Sequence, residues 1–145
     1  MKKFTPFELE ILDSILWQVE GFKCGRVTQR ATTRILRATM RRIEPQLIAR
    51  SQSVESGTGE LDHAIPVAVI CKHILKFENL NRDILQKIIA DWLVLVELTV
   101  QEHREVLQKC GLSRSMPKSW DGVDPLARYR TAGIQLLEIQ NKERS

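Results

Sequence analysis

Hydrophobic residues recur every three to four positions over most of the chain, which is the spacing of amphipathic helices. The first run follows Thr5-Pro6-Phe7-Glu8, a capping box with a proline in the first helical turn. We predict a helix from there to about Glu20, with an apolar stripe made of Ile11, Leu12, Ile15, Leu16 and Val19, which Trp17 can extend. A later run with the same spacing starts at Val67 and predicts a helix that ends near Phe77.

The longest apolar run begins after Asp83, which can cap a helix, and continues to Val96. A helix this apolar is expected at the centre of the fold. Its most buried residues are predicted to be Ile88, Ile89, Trp92 and Leu93. Thr99-Val100-Gln101-Glu102 is a second capping box, so we predict a break at Thr99, a short helix to about Cys110 and a C-terminal cap at Gly111.

Polar and glycine-containing segments separate the apolar runs. We predict a flexible loop at residues 51–60 and a structured loop at residues 112–123. Asp124-Pro125 starts a last helix, whose inward residues are predicted to be Leu126, Ile134, Leu137 and, as an extension of that stripe, Tyr129. The whole pattern predicts a mostly α, compact single domain, residues 1–145, of five or six helices. A short β element near Leu61 stays an open alternative.

The clearest electrostatic feature lies between Arg26 and Arg50, where seven arginines occur with no lysine and with Glu44 as the only acid. Five of them are three or four positions apart, which places them on one side of a helix. We call this set the arginine face: Arg26, Arg30, Arg34, Arg37 and Arg41. The buried side is predicted to be Val27, Ala31, Ile35, Ala38 and Ile43. The arginine face is expected either to bind an anionic partner or to be neutralised by acids from elsewhere in the fold.

Composition narrows the function classes. No apolar run reaches the roughly 18 residues that span a membrane. The start of the chain, Met1-Lys2-Lys3-Phe4 followed by Glu8, does not resemble a signal peptide. The cysteines are odd in number, widely spaced and without metal-ligand spacing, which indicates reduced thiols: Cys24, Cys71 and Cys110. We therefore predict a cytoplasmic protein with no membrane partner.

Candidate chemistry is concentrated at Asp62-His63-Ala64-Ile65-Pro66, because a carboxylate beside an imidazole can bind a divalent metal ion and activate water. This segment resembles the opening motif of the HNH (ββα-metal) endonucleases, and Asn79 is similar to the asparagine of that family's central element. The resemblance implies that Asp62 is a metal ligand, His63 the general base and Asn79 a structural residue. It also implies a divalent metal ion as the cofactor.

The family's third polar residue has no counterpart near Ile88, so a further ligand has to come from elsewhere in the fold, where His73 and His103 are the candidates. The alternative interpretation is structural: Asp62 caps the helix that starts near Val67, and His63 is an ordinary surface residue.

Two functions from different classes follow. The first is a small basic protein that binds nucleic acid, or belongs to a nucleic-acid-handling complex, and that extends to metal-dependent cleavage if the resemblance to HNH endonucleases holds. The second is a non-catalytic, phage-type inhibitor or adaptor whose arginine face docks on an acidic protein surface. A third interpretation is a homodimer that buries part of the apolar stripe from Ile84 to Val96 between subunits.

Overall fold

The computed structural model of the chain describes residues 2–55 and 57–139. The described residues form six α-helices and a π-helical segment, in line with the predicted number of helices, and also a four-stranded sheet, which goes beyond the short β element that the sequence left open. The helices are α1 (Pro6–Lys23), α2 (Gln29–Met40), α3 (Val67–Lys76), α4 (Arg82–Trp92), a π-helical segment (Glu102–Val106), α5 (Leu107–Lys109) and α6 (Ala127–Thr131). The strands are β1 (Gln46–Ser51), β2 (Glu60–His63), β3 (Val94–Leu98) and β4 (Leu136–Glu138).

The chain groups into two compact units. A helical unit comprises residues 2–44 and 67–91, and a sheet unit comprises residues 45–66 and 92–139. The prediction of a single domain stays a prediction beside this grouping. Within the described residues, no helix is both long enough and apolar enough to cross a membrane.

The helical unit is built on the predicted capping box. The Thr5 hydroxyl accepts a hydrogen bond from the Glu8 backbone, and the Glu8 carboxylate accepts one from the Thr5 backbone. The same carboxylate is buried, and it also accepts bonds from Lys2 and from the backbone N–H of Glu44. These bonds fix the start of α1 beside the segment that leaves α2.

Helix α2 buries a different side from the one predicted. Thr32, Leu36 and Met40 are the buried residues of α2, whereas Ile35 is 49% exposed. Thr32 can be buried because its hydroxyl donates to the Thr28 carbonyl, so its polar group has a partner. Ile43, which follows the helix, is buried as predicted.

The sheet unit has the strand order β2-β3-β1-β4. β3 is paired in parallel with β1 and antiparallel with β2, and β4 runs antiparallel to β1. Its core combines strand residues with residues from the segments that follow them: Ala49, Ala64, Val94, Val96, Leu98, Leu107, Leu112, Leu126, Tyr129 and Ile134. The short β element near Leu61 is confirmed as β2.

The predicted helix through Val96 is wrong, because α4 ends at Trp92 and Val94–Leu98 forms β3, one of the two inner strands of the sheet. A strand buried on both faces has a nearly continuous apolar sequence, which periodicity alone does not distinguish from a buried helix. The cap of α4 is also corrected, since the Asn81 side chain accepts the bond from the Ile84 backbone.

Burial differs from the prediction at several large side chains. Ile89 and Leu93 are buried as predicted, but Ile88 and Trp92 are only half-buried. The last helix is shorter than predicted, because its continuation forms β4, and Leu137 is 53% exposed. Leu126, Tyr129 and Ile134 are buried as predicted.

Candidate functional site

Strand β2 presents two different faces. Side chains alternate along a strand, and here Glu60 and Asp62 are half-buried while Leu61 and His63 are exposed. β2 pairs antiparallel with β3, with Asp62 opposite Val96 and His63 opposite Leu95. The two acids therefore lie side by side on the inner face, and the His63 ring leaves the strand from the other face.

The helical segment after β3 starts at the predicted capping box. The Thr99 backbone donates to Glu102 Oε1 at 2.9 Å, and the Glu102 backbone donates to Thr99 Oγ1 at 3.1 Å. Ser51 of β1 donates to the other Glu102 oxygen at 2.8 Å. The backbone then forms a π-helical turn, in which the Leu107 N–H donates to the Glu102 carbonyl. Turns of this kind are frequent at functional sites.

This turn brings His103 onto the acidic face of β2. Its Nδ1 lies 3.0 Å from Glu60 Oε1, and its Nε2 lies 3.4 Å from Asp62 Oδ1. Arg104 also binds Glu60, at 2.8 Å, and the contacts to Arg104 and then His103 lower the pKa of that carboxyl below its usual range. When Nδ1 carries the proton that Glu60 accepts, Nε2 of the neutral ring faces Asp62 as an acceptor. Two acceptors that face each other can be bridged by a proton, a cation or a water molecule.

The other oxygen of Asp62 is held by α6. Asp62 Oδ2 accepts hydrogen bonds from Arg128 Nη2 at 2.6 Å and from the Tyr129 hydroxyl at 2.7 Å. The Arg128 side chain is fully buried, and it also donates to the carbonyls of Ala64, Leu112 and Ser113. Asp62 is thus fixed in orientation, with Oδ2 occupied and Oδ1 directed at His103.

The packing around Asp62 changes the pKa values of two neighbouring side chains, Tyr129 and His63. Burial raises the pKa of the Tyr129 hydroxyl far above its ordinary value, and the charge of Asp62 adds to the rise. Protein partly surrounds the His63 ring, and the loss of hydration lowers the pKa of its imidazole. The charge of Asp62 raises this pKa and the charge of Arg128 lowers it, each by less than burial does. Because its pKa is raised, the Tyr129 hydroxyl keeps its proton and stays a hydrogen-bond donor.

The residues present meet part of the requirement for a metal ion. Among residues 2–55 and 57–139, no three histidine, cysteine or carboxylate side chains are grouped as a set of metal ligands. The pair formed by Asp62 Oδ1 and His103 Nε2 nevertheless has a suitable separation of 3.4 Å. Ligand atoms about 2.1 Å from one ion are roughly 3.0–3.4 Å apart at angles between octahedral and tetrahedral. Two protein ligands suffice for an ion that keeps several waters.

The predicted site residues are only partly brought together. Asp62 does not cap α3, since it lies within β2 and its carboxylate binds Arg128, so the alternative structural interpretation of Asp62 is wrong. Asn79 belongs to the helical unit, in the turn before α4, where its backbone has a positive φ of 54°. The structural role predicted for Asn79 and the metal and base roles of Asp62 and His63 stay predictions.

The arginine face is only partly helical. Arg30, Arg34 and Arg37 lie on α2, whereas Arg26 precedes the helix and Arg41 is its C-cap residue. The whole arginine face is exposed. Within the described part of the chain, none of these five arginines forms an ion pair.

Sequence reasoning missed three members of this site: Glu60, Arg128 and Tyr129. His103 is a candidate ligand from elsewhere in the fold, but nothing in its local pattern links it to Asp62. Glu60 is detectable once β2 is taken as a strand, because it stands two positions before Asp62 and shares its face. Arg128 and Tyr129 carry no local signal, since their contacts to Asp62 join residues more than sixty positions apart.

Comparison of the chain with protein-family models, with curated proteins and with solved structures finds no match. The function therefore has to follow from the site alone.

Proposed function

We propose that this protein is a metal-dependent phosphodiesterase that acts on nucleic acid, similar in its site to the HNH (ββα-metal) endonucleases. One observation supports this most directly. Strand β3 pairs antiparallel with β2 and is followed at once by a helical segment whose His103 lies 3.4 Å from Asp62, although α3 and α4 separate the two strands along the chain. In space, though not in chain order, these elements are two antiparallel strands and a helical segment, which is compatible with the description ββα. His103 would be the third polar residue that the sequence pattern lacked near Ile88.

Asp62 and His103 would hold the divalent ion in this proposal, through Oδ1 and Nε2. Glu60 orients His103 by accepting from Nδ1, as carboxylates commonly do for metal-bound histidines. Arg128 and Tyr129 hold Oδ2, so that Asp62 keeps a single orientation. When bound, the ion supplies Lewis-acid stabilisation of charge on a phosphate.

His63 accepts the proton of the attacking water in this proposal. In an in-line displacement at phosphorus, the attacking and leaving oxygens are on opposite sides. A base that leaves β2 from the face opposite Asp62 is compatible with that requirement. His63 is the last residue of β2 and is exposed, so a substrate can approach its ring.

The arginine face binds the substrate backbone in this proposal. Exposed arginines without an internal partner suit phosphate groups, because a guanidinium makes two parallel hydrogen bonds to phosphate oxygens. Such contacts carry affinity rather than sequence preference.

The test is a nicking assay on supercoiled plasmid with the full chain and Mg²⁺, Mn²⁺ or Zn²⁺, each with and without chelator. We expect metal-dependent nicking, and His63→Ala should reduce its rate by about 10²–10⁴-fold while leaving plasmid binding unchanged. His103→Asn should weaken Mn²⁺ binding measured by electron paramagnetic resonance, and His73→Ala is the matched control outside the site. Absence of nicking by the parent protein with every metal would exclude the proposal.

A further inference from the structure

An apolar groove runs along the surface of the helical unit where α1 and α2 pack together. Gln18 of α1 donates to the Thr39 hydroxyl of α2 at 3.0 Å, which holds the helices side by side. The groove has an apolar base and two arginines at its border: Phe7, Ile11, Ile35 and Ala38 with Arg34 and Arg42.

The apolar side chains of the groove are only partly covered, and its arginines have no ion-pair partner in the part of the chain that the structure describes. Phe7 is 51% exposed and Ile35 is 49% exposed, although each is large and apolar. The lining residues include no carboxylate, and Arg34 and Arg42 form no ion pair with any described residue. Aromatic residues and arginine are the types enriched at protein interfaces, where lysine is depleted.

The charge of the groove distinguishes between the molecules that could bind in it. A second copy of this groove would bring arginines against arginines, which disfavours a symmetric dimer through this surface. Nucleic acid would satisfy Arg34 and Arg42 but would leave the Phe7 and Ile35 side chains against a charged backbone. An amphipathic helix with carboxylates beside its apolar stripe matches both the base and the border, as in other complexes in which a groove between helices receives a third helix.

We propose that the groove between α1 and α2 binds an acidic amphipathic helix of a partner protein. Apolar side chains of that helix cover Phe7 and Ile35, and its carboxylates pair with Arg34 and Arg42. This site is independent of the nuclease chemistry around Asp62. It shares only Arg34 with the arginine face.

Two synthetic helical peptides of about 18 residues, or roughly 27 Å of helix, test this directly. They carry the same Leu stripe, flanked by Glu in one and by Lys in the other, and binding to the full chain is measured by fluorescence anisotropy. We expect the Glu peptide to bind at least tenfold more tightly than the Lys peptide. Ile35→Asp should abolish binding, and Arg42→Glu should weaken the Glu peptide and strengthen the Lys peptide.

Val123→Asp and Arg114→Glu are the matched controls, because both positions are exposed and lie in the sheet unit. Both should bind the Glu peptide like the parent, and circular dichroism should show that every variant is folded. Equal affinity for the two peptides, or an Arg42→Glu variant that binds like the parent, overturns the proposal. A short DNA duplex whose affinity falls at least tenfold in Arg42→Glu, in a protein that binds the Glu and Lys peptides equally, would assign the groove to nucleic acid and overturn the proposal as well.

Discussion

The two concentrations of charge in this chain are built in opposite ways. Around β2, the charges are paired inside the sheet unit: Asp62 with Arg128, and Glu60 with Arg104 and His103. On α2, Arg30, Arg34 and Arg37 are exposed and have no ion-pair partner among the described residues. Both clusters contain arginine, but Arg128 beside β2 is only 1% exposed, whereas the arginines of α2 are exposed.

This difference indicates which arginines maintain the fold and which are available to a ligand. Removing one partner of a buried ion pair leaves the other charge without compensation, which is expensive. Neighbouring like charges on an exposed helix cost only a few tenths of a kcal/mol per pair. Substitutions in the two clusters should therefore separate stability from binding.

The largest expected effect is at Arg128. Arg128→Met should lower the free energy of unfolding by about 3–5 kcal/mol, since Asp62 and the carbonyls of Ala64 and Leu112 would have no donor in its place. Arg130→Met, on the same helix, removes only an exposed pair with Asp124 and should cost about 0–1 kcal/mol. Urea denaturation measures both, and equal decreases would contradict the distinction between buried and exposed arginines.

A triple change of the α2 arginines should act on binding and leave the fold intact. Arg30→Gln, Arg34→Gln and Arg37→Gln together should reduce the slope of log affinity against log salt for duplex DNA by about three units, close to one for each phosphate that is no longer neutralised. The free energy of unfolding should stay the same or rise slightly, because like charges are removed. An unchanged salt slope would show that the arginine face does not contact nucleic acid.

Replacing the threonine that caps a helical segment in each region should have a smaller effect, which again compares the two regions. Thr99 and Thr28 each accept a backbone hydrogen bond at the start of a helical segment, so replacing either with Ala should cost about 1 kcal/mol of stability. Only Thr99→Ala should also weaken Mn²⁺ binding, because only that segment carries His103. Equal metal affinities in the two variants would mean that the cap does not position the ligand.

The smallest expected effect is a pH dependence at Glu97. Arg50 and the backbone N–H of Gly59 donate to this carboxylate, and these contacts hold its pKa below the usual 4.5. Its contribution to stability is thus complete above about pH 4.5 and disappears as the pH falls through the lowered value. Glu97→Gln should flatten the decline in stability measured by denaturant unfolding between about pH 5 and pH 3, because the amide has no proton to take up. A parallel decline in parent and variant would contradict this assignment.

Local signals in the sequence predicted local structure well. Both capping boxes are present, and the glycine predicted to end the second segment, Gly111, has a positive φ of 70°. Helix α3 spans Val67–Lys76, close to its predicted range. These features depend on residues within four positions of one another, so a single sequence contains the information.

Features that depend on distant partners were not predictable in the same way. Val94–Leu98 has the apolar sequence of a buried helix, and only pairing with β1 and β2 makes it a strand. Trp17 does not extend the apolar stripe of α1 but is 80% exposed, since the core side of that helix is filled by Leu12, Ile15 and Val19. Of the candidate site, the types and spacing of Asp62 and His63 pointed to these two residues, whose metal and base roles stay predictions, whereas Arg128 required the fold.

β2 and β3 are neighbours in the sheet although α3 and α4 lie between them in the chain. On a ribosome, Asp62 therefore emerges well before the strand that it pairs with, and Arg128 emerges later still. The four helices α1–α4 can form from residues already synthesised. At that stage Asp62 of β2 has no guanidinium beside it, because Arg128 has not yet been made. Because domains fold from the N-terminus as they are made and distant strand pairing is slow, we expect the strands that carry Asp62 and its neighbours to acquire protection from proteases later than the described helices α1 and α2.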